Sequence, residues 1–407
     1  MKVLQINSVC GIGSTGRIAT DIHNILIDQG HESYIAYGRD LPKNCDNAIR
    51  IGTKIDNYTH VLKTRLLDKH GFGSKQATIE FIDKVKKLNP DIIHLHNIHG
   101  YYINIEILFD YIKEAKKPVV WTLHDCWSFT GHCSHFDYIG CEKWKTGCFD
   151  CPQKHEYPKS LFFDNSNWNY SKKKEVFTGV DNMTIVTPSN WLANLVRKSF
   201  HKNYEIETIH NGIDLSVFKP TQGDFRKKYN IENKFIILGV SSVWNQRKGF
   251  FEYIELSQAL KPDEVIVLVG VSEKQKENLP QNIIGITRTT NVKELAEIYS
   301  AADLFVNLTL EDNFPTVNLE ALACGTKVLT YDTGGSSETI DMTTGIILSE
   351  KSVLTVLEEI RNIKINSCID TIDIKCVELA HRFFSSKIAY KRVLDIYASI
   401  GRNNDNG

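Results

Sequence analysis

The chain alternates short β-type runs with helical stretches, and it does so twice, the second series starting afresh at Phe235. In the first series Val3 to Val9 is an apolar, β-compatible run, and Arg17 to Gln29 spaces Ile18, Ile22, Ile25 and Leu26 as on one helix face. Ser33 to Tyr37 reads as the next strand, and strand, helix and strand in that order make a parallel sheet. A helix over Ala77 to Leu88 and strands at Asp91 to Leu95, Val119 to Leu123 and Met183 to Thr187 extend it. The second series runs from the strand Phe235 to Val240 through the helix Phe251 to Leu260, the strand Val265 to Val269 and the helix Val292 to Ser300. It closes with the strand Leu304 to Asn307, the helix Val317 to Ala323 and the strand Lys327 to Tyr331. Two such series predict an α/β protein of two doubly wound domains facing each other across a cleft. Asn211 to Pro220, with its Asn-Gly pair and terminal proline, is the expected linker, which divides the chain at residues 1–212 and 213–384. Residues 385–407 remain for a C-terminal helix and tail. The stretch Val377 to Ile400 is apolar on one face and is expected to pack across both domains, with Arg402 to Gly407 frayed.

At 407 residues, 42% hydrophobic, the chain can bury two cores. Its 48 basic and 49 acidic residues leave a formal charge of -1, so no whole-molecule field attracts nucleic acid, and no nucleic-acid partner is expected. No apolar run approaches the roughly 18 to 20 residues that cross a bilayer. Met1 to Val9 lacks the basic and long apolar regions of a secretion signal, so a cytoplasmic location is expected.

Gly11, Gly13 and Gly16 form a literal G-x-G-x-x-G between the first strand and the first helix, with Ser14 and Arg17 at the same helix start. The spacing fits a nicotinamide-cofactor domain, with Asp40 beyond the second strand as the ribose-binding acid. It equally fits the approach of any phosphate to backbone N–H groups, or plain turn chemistry. An NAD-dependent oxidoreductase is thus one reading of this half.

The segment Leu308 to Val328, LTLEDNFPTVNLEALACGTKV, carries more. A strand ends in a loop with adjacent Glu311 and Asp312, turns through Asn313, Phe314 and Pro315, and enters a helix bearing Glu320 ahead of Gly325. Asp312 and Glu320 can reach two parts of one ligand while the N–H groups of Thr316 and Val317 meet a pyrophosphate. The bland alternative is a surface loop with a solvated helix acid.

This segment resembles the E-x7-E signature of family 4 glycosyltransferases, the glycosyl transferases group 1, whose usual form is close to E-G-F-G-x-x-x-x-E-A-x-A-x-G-x-P-V. Asp312 takes the place of the first Glu and Glu320 that of the second, and Phe314, Ala321, Ala323, Gly325 and Val328 match as well. The resemblance implies the GT-B fold, two Rossmann-like domains across a cleft with a C-terminal helix crossing back, and retaining, metal-independent transfer of a hexose from a nucleotide sugar. It implies that Asp312 holds hydroxyls of the transferred sugar and that Glu320 binds the nucleotide ribose. The first acid is one methylene shorter than the family's, and neighbouring Glu311 competes for its role. Ser242 to Gly249, SVWNQRKG, resembles the family's G-R-L-x-x-x-K-G element, in which two cations hold the donor diphosphate. Lys248 and Gly249 match directly, whereas Val243 stands near the family's Arg, so Arg247 is the candidate for the second charge. Gly334, Gly335 and Glu338 fit the loop that closes the donor pocket, joined there by Gly13, and Asn211 to Asp214 fit an N-G-I-D hinge.

In the first half WTLHDCW, Trp121 to Trp127, places His124 and Asp125 just after a strand, where ligands of open α/β sheets collect. The matching His of relatives sits beside the donor sugar, so His124 is the expected polar contact at the reaction centre. His96 and His99, with His94, invite a metal reading but are expected to line the acceptor side with Asp125, Ser14 and Arg17. No catalytic cofactor is expected, and the chain contains no Asp-x-Asp pair of the metal-dependent GT-A type.

Cys133, Cys141, Cys148 and Cys151 are spaced C-x7-C-x6-C-x2-C, which suits a closed structural zinc site, free thiols or disulfides. This insert, 126–151, resembles that of exopolysaccharide and capsule glycosyltransferases, and with Phe129, Phe136 and Tyr138 it is expected to shape the acceptor side. The expected partners are a UDP- or GDP-linked sugar and a lipid-linked saccharide in surface polysaccharide synthesis. That acceptor sets the protein at the inner face of the cytoplasmic membrane, where the cations of Lys54 to Lys75 would either meet lipid or be solvated. A zinc-clip module binding a macromolecule is the remaining alternative.

Overall fold

The computed structural model describes residues 1–366 and 372–404. The chain divides into two compact units, the first made of Met1–Ile209 with the chain from Tyr390 on, the second of His210–Ala389. The second division, between Ala389 and Tyr390, lies inside the last helix.

Unit 1 is built on β1 (Lys2–Asn7), β2 (Glu32–Tyr37), β3 (Ala48–Arg50), β4 (Ile92–Leu95), β5 (Val119–Thr122), β6 (Met183–Thr187) and β7 (Glu205–Thr208). They form one parallel sheet in the order β3-β2-β1-β4-β5-β6-β7. Unit 2 holds β8 (Phe235–Val240), β9 (Glu264–Val269), β10 (Ile283–Ile286), β11 (Leu304–Asn307), β12 (Val328–Tyr331) and β13 (Gly345–Leu348). Its parallel order is β10-β9-β8-β11-β12-β13. Helices cover both faces, which is why the central strands are mostly apolar: every residue of β4, β5, β9 and β11 is buried, with one polar residue in each. Successive residues of β8 alternate between two cores, Ile236 and Leu238 on one face, Phe235 and Ile237 on the other.

The predicted strands fall within a residue or two of the observed ones, but β3, β7, β10 and β13 lie outside them. All four end a sheet, and one of them, β7, is the mixed run Glu-Ile-Glu-Thr, so little apolar periodicity marks them. The stretch Val377 to Ile400 is two helices, Ile374–Phe383 and Ser386–Asn404. Between them Ile213 forms a parallel bridge with Ser385, its N–H donating to the Phe384 carbonyl at 2.9 Å and its carbonyl accepting from Ser386 at 3.0 Å. Those bonds replace helical ones, and no Gly or Pro announces the break. Gly212 is needed here because a Cβ on it would stand 2.4 Å from the Ser386 Cα. Of the tail expected to fray, residues 402–404 continue the helix and 405–407 lie outside the described residues.

Candidate active site

In a doubly wound sheet the strand order reverses at one point, and the loops leaving the strand ends there bound a crevice. In unit 2 that point lies between β8 and β11. The β8 loop turns through a short 3-10 helix at Gln246–Lys248, capped by the Asn245 side chain, and ends at Gly249 in the left-handed region. A Cβ on Gly249 would lie 2.4 Å from the Leu308 carbonyl oxygen, so the glycine lets the two loops touch. They are then knitted by polar contacts. Leu310 N–H donates to the Arg247 carbonyl at 2.8 Å, the Arg247 guanidinium donates to the Glu311 carbonyl at 3.0 Å, and the Lys248 ammonium is paired with the Asp312 carboxylate. Both members of that ion pair are partly exposed.

The second oxygen of Asp312 accepts from Phe314 N–H at 3.3 Å, which turns the chain into the helix Thr316–Ala323. Pro315 precedes that helix and no side chain caps it, so its first N–H groups are available to an anion. A buried polar network fixes the helix direction. Asn318 accepts from Asn307 at 2.8 Å and donates to the hydroxyls of Thr339 and Ser336 at 2.8 and 3.3 Å. Glu320, one turn further in, is buried and accepts from the Tyr299 hydroxyl at 2.9 Å. Burial and the Glu320 charge hold that phenol far above its ordinary range, so it stays a donor. The glycine loop after β12 packs directly on the acid. Gly334 has φ +57°, a Cβ there would stand 1.7 Å from the Asp312 carbonyl oxygen, and Gly335 N–H donates to that oxygen at 3.2 Å. Glu338 pairs with His210 at 3.3 Å, and the His210 ring stacks on Phe314 at 4.8 Å.

The structure therefore brings Arg247, Lys248, Glu311, Asp312, Asn313, Phe314, Thr316 and Val317 into one site, with Gly335 behind it. Glu320 belongs to the same helix but is held by Tyr299. Tyr299, Asn318 and His210 have no motif of their own and were not legible in the sequence; only their placement reveals their roles.

In unit 1 the order reverses between β1 and β4. Asn7, at the end of β1, donates to the Val9 carbonyl at 2.9 Å and accepts from Asn97 N–H at 3.2 Å, tying the two loops. Gly11 is required by packing, since a Cβ would meet the Lys43 carbonyl oxygen at 2.1 Å, whereas Gly13 has nothing within 4 Å of a Cβ. Gly13, Ser14 and Arg17 all sit exposed at the start of the helix Gly13–Asp28.

Behind this crevice stands a chain of imidazoles. His94 contacts the Tyr397 hydroxyl at 2.5 Å and that of Thr122 at 2.8 Å, and its ring lies 4.0 Å from that of His96. The Gln5 amide nitrogen donates to the Ala19 carbonyl at 2.9 Å, so its oxygen faces His96 Nε2, 3.1 Å away. His96 Nδ1 in turn lies 3.2 Å from His124 Nε2, with the rings stacked. Burial, with neighbouring imidazoles, drives all three pKa values down, to about 3 for His94 and about 4 for His124. His96 is fully covered and its ring nitrogens are spent on Gln5 and His124, which corrects its expected place as an acceptor-side contact. Asp125 pairs with His99 at 2.9 Å and accepts from Trp127 N–H at 2.9 Å, and His99 also meets the Tyr157 hydroxyl at 2.9 Å. Burial alone would raise the Asp125 pKa, but His99, His135 and the Trp127 amide pull it to about 2.

The cysteine insert holds no strand or α-helix. Its centre is aromatic, with Phe136 and Trp144 stacked at 5.2 Å and Phe129 against Trp144 at 5.3 Å. Phe129 and Phe136 are buried in the main core of unit 1 and so present no surface of their own, whereas Tyr138 is exposed. Cys133, Cys141, Cys148 and Cys151 line one small cavity, and Cys148 accepts from Gly131 N–H at 3.1 Å. Among the described residues no group of three or more His, Cys, Asp or Glu is arranged to hold a metal ion.

Two doubly wound parallel sheets, one carrying paired cations and acids at its switch point and the other buried imidazoles, define a GT-B-type transferase. The Glycosyltransferase Family 4 pattern matches residues 15–217 and that of Glycosyl transferases group 1 residues 221–377, so the chain belongs to this glycosyltransferase family. It is 25% identical over 373 residues to WcaC of Escherichia coli (strain K12), assigned as a colanic acid biosynthesis glycosyl transferase, covering 88% of this chain and 90% of that one. Among solved structures it is similar to sucrose-phosphate synthase from Thermosynechococcus elongatus, with TM-score 0.73, 17% identity and coverage of 98% and 99%. Anabaena HepE in complex with UDP-glucose matches with TM-score 0.68 and 14% identity, covering 98% of this chain and all of that one, 100%. Neither the oxidoreductase nor the zinc-module alternative finds support, since the matched regions take in both halves. No helix among the described residues is long and apolar enough to cross a membrane.

Proposed function

We propose that the chain transfers a hexose from a UDP- or GDP-linked donor to a lipid-linked saccharide during surface polysaccharide synthesis, with retention at the anomeric carbon and without a catalytic metal. The observation that carries this reading is the Lys248–Asp312 pair at the β8–β11 switch point, beside an uncapped helix start. In the absence of donor the cation and the acid satisfy each other. When a nucleotide sugar enters, Lys248 and Arg247 take the diphosphate and Asp312 is released to the sugar hydroxyls, while Glu320, preset by Tyr299, takes the ribose.

The bond from the anomeric carbon to the diphosphate oxygen breaks as the acceptor hydroxyl bonds to that carbon from the same face, and the hydroxyl proton passes to the departing phosphate. The fixed cations and helix N–H groups stabilise the charge that accumulates on the diphosphate. In this reading unit 1 receives the acceptor, with Ser14, Arg17 and Asp125 as its polar contacts, His99 holding Asp125 from behind, and His124 keeping the sugar-contact role that the family resemblance implies. Similarity to a colanic acid biosynthesis protein and to a protein solved with UDP-glucose supports the donor and pathway class. A membrane-facing acceptor places the work at the inner face of the cytoplasmic membrane.

The test is a thermal-shift series with UDP-, GDP- and dTDP-linked sugars, followed by NMR of the product's anomeric configuration. A donor at a hundred times its Kd raises stability by about 2.7 kcal/mol. A melting point indifferent to every donor, or an inverted product, rejects the reading. A structural zinc at the four insert cysteines is a separate proposal: they line one cavity but are not arranged around a common metal position, so binding would have to draw them together. Metal analysis of protein purified without chelator should find about one zinc per chain bound through thiolates, and a metal-free, stable protein counts against it.

A further inference from the structure

The helix Lys54–Leu67 of unit 1 is turned inside out. Its buried residues are His60 and Thr64, both polar. The inward face is satisfied by hydrogen bonds. His60 Nε2 accepts from Gly71 and Gly73 N–H at 3.2 and 3.3 Å, its Nδ1 meets the Ser74 hydroxyl at 3.0 Å, and the Thr64 hydroxyl donates to the His60 carbonyl at 3.0 Å. The outward face carries Ile55, Tyr58 and Leu62, which are 74%, 70% and 57% exposed, followed by exposed Leu66. At ~100° per residue these four side chains fall within about 80° of one another, forming one stripe along the helix. Lys54 and Arg65 flank the stripe on one side; Lys63 lies on the other, its ammonium donating to the Phe72 carbonyl at 2.8 Å.

A second apolar element lies at the end of that helix. Leu161 N–H donates to the Arg65 carbonyl at 2.8 Å and the Asn165 side-chain amide to the Leu67 carbonyl at 2.5 Å, which brings the run Leu161–Phe163 alongside. Phe162 and Phe163 are 66% and 59% exposed. Next to them Lys69 stands 4.6 Å above the exposed ring of Trp168. Between Lys54 and Lys75 the basic residues are Lys54, Lys63, Arg65, Lys69 and Lys75, and the only acids are Asp56 and Asp68. Asp56 is tied into the helix cap by Thr53, and Asp68 is buried against His132. The Lys63 pKa is lowered by partial burial and by the charges of Lys75 and Lys69, which shows the cations sharing one neighbourhood.

We infer that this face of unit 1 docks on an anionic lipid bilayer, the stripe Ile55, Tyr58, Leu62, Leu66 entering the interface with Phe162 and Phe163 while the flanking cations meet headgroup phosphates. An apolar stripe bordered by Lys and Arg is the arrangement that lies in the headgroup plane. A second copy of the chain is the poorer occupant, because a twofold contact through this face would set its cations against themselves. Docking deepens the membrane-facing part of the proposed function and rests on it for location, but it needs no nucleotide sugar, so loss of transfer and loss of docking are measured separately.

The experiment is co-sedimentation of the full chain with phosphatidylcholine vesicles, with and without phosphatidylglycerol, alongside thermal melting and sedimentation velocity. The expected result is binding only where phosphatidylglycerol is present, weakened by salt. The exposed double variant Ile55→Glu/Leu62→Glu should lower that binding about tenfold or more with an unchanged melting point. Lys69→Gln/Lys75→Gln, which leaves the apolar stripe intact, should weaken binding to anionic vesicles and flatten the salt dependence. Leu354→Glu, an equally exposed change in unit 2, should have no effect. The inference is overturned if the wild type ignores phosphatidylglycerol, if both double variants bind as the wild type does, or if the stripe variant converts a dimer to a monomer without touching vesicle binding.

Discussion

The two units share a doubly wound parallel sheet, yet the carboxyl ends of their central strands are opposite in character. Unit 2 gathers formal charge there: Lys248 on Asp312, Arg247 on the Glu311 carbonyl, Glu338 on His210. Unit 1 gathers imidazoles kept neutral by burial, with His94, His96 and His124 in contact one after another. All but two of the 14 histidines, His210 and His381, fall in unit 1. The same backbone plan thus supplies one end suited to a diphosphate and one suited to hydroxyl groups, and the difference resides in residues at the strand ends and in the loops that follow them.

The largest expected effect tests the charged end. Lys248→Ala should lower transferase turnover by about 10²–10³-fold, roughly 3–4 kcal/mol of lost stabilisation, read by nucleotide release. A variant within a factor of about two of wild type would remove Lys248 from the reaction. The neutral end is tested by pH. His60, His70, His94, His96, His124 and His201 all have pKa values lowered by burial, and all belong to unit 1. Below pH 6.5 the unfolded chain takes up protons that these native imidazoles refuse, so stability falls as pH falls from 6.5 toward their folded values near 3 to 4. For His124 alone the loss by pH 4 is on the order of 3 kcal/mol. Calorimetry should show the unit 1 transition moving down while that of unit 2 holds; equal movement of both would dissolve the contrast.

A smaller effect compares glycines. Gly334→Ala should cost about 2 kcal/mol in stability and weaken donor binding, because the new methyl displaces the Asp312 backbone. Gly13→Ala, strained by its φ of +66° but free of contacts, should cost only about 1 kcal/mol. Chemical denaturation of the two variants decides the order. Smallest is Tyr299→Phe, which leaves Glu320 without its phenolic donor and should weaken donor binding about threefold at unchanged fold. Isothermal titration with the donor reads it, and unaltered affinity would make Tyr299 a packing residue.

Much of this was legible in the sequence, for identifiable reasons. Central strands such as β4 and β11 are buried on both faces and read as short apolar runs, and the β8 and β11 loops carry spacing that chemistry constrains. Edge strands such as β7 do not, because half their surface is solvated. The break at Phe384 and Ser385 was invisible because it is made by Ile213, distant in sequence. Tyr299 and Asn318 act through three-dimensional neighbours, and a lone Tyr or Asn inside a helix carries no signal of that. The helix at Lys54 gave only scattered cations until its polar inward face appeared.

One hydrogen-bond chain in unit 1 fixes more than geometry. A carbonyl cannot donate, so Ala19 settles which way the Gln5 amide points, and its oxygen then demands a proton on His96 Nε2. Neutral His96 must therefore receive at Nδ1, and His124 must give from Nε2. A glutamine on the first strand thereby selects the tautomer of an imidazole more than a hundred positions away, leaving His124 Nδ1 as a lone-pair nitrogen that nitrogen-15 chemical shifts can read directly.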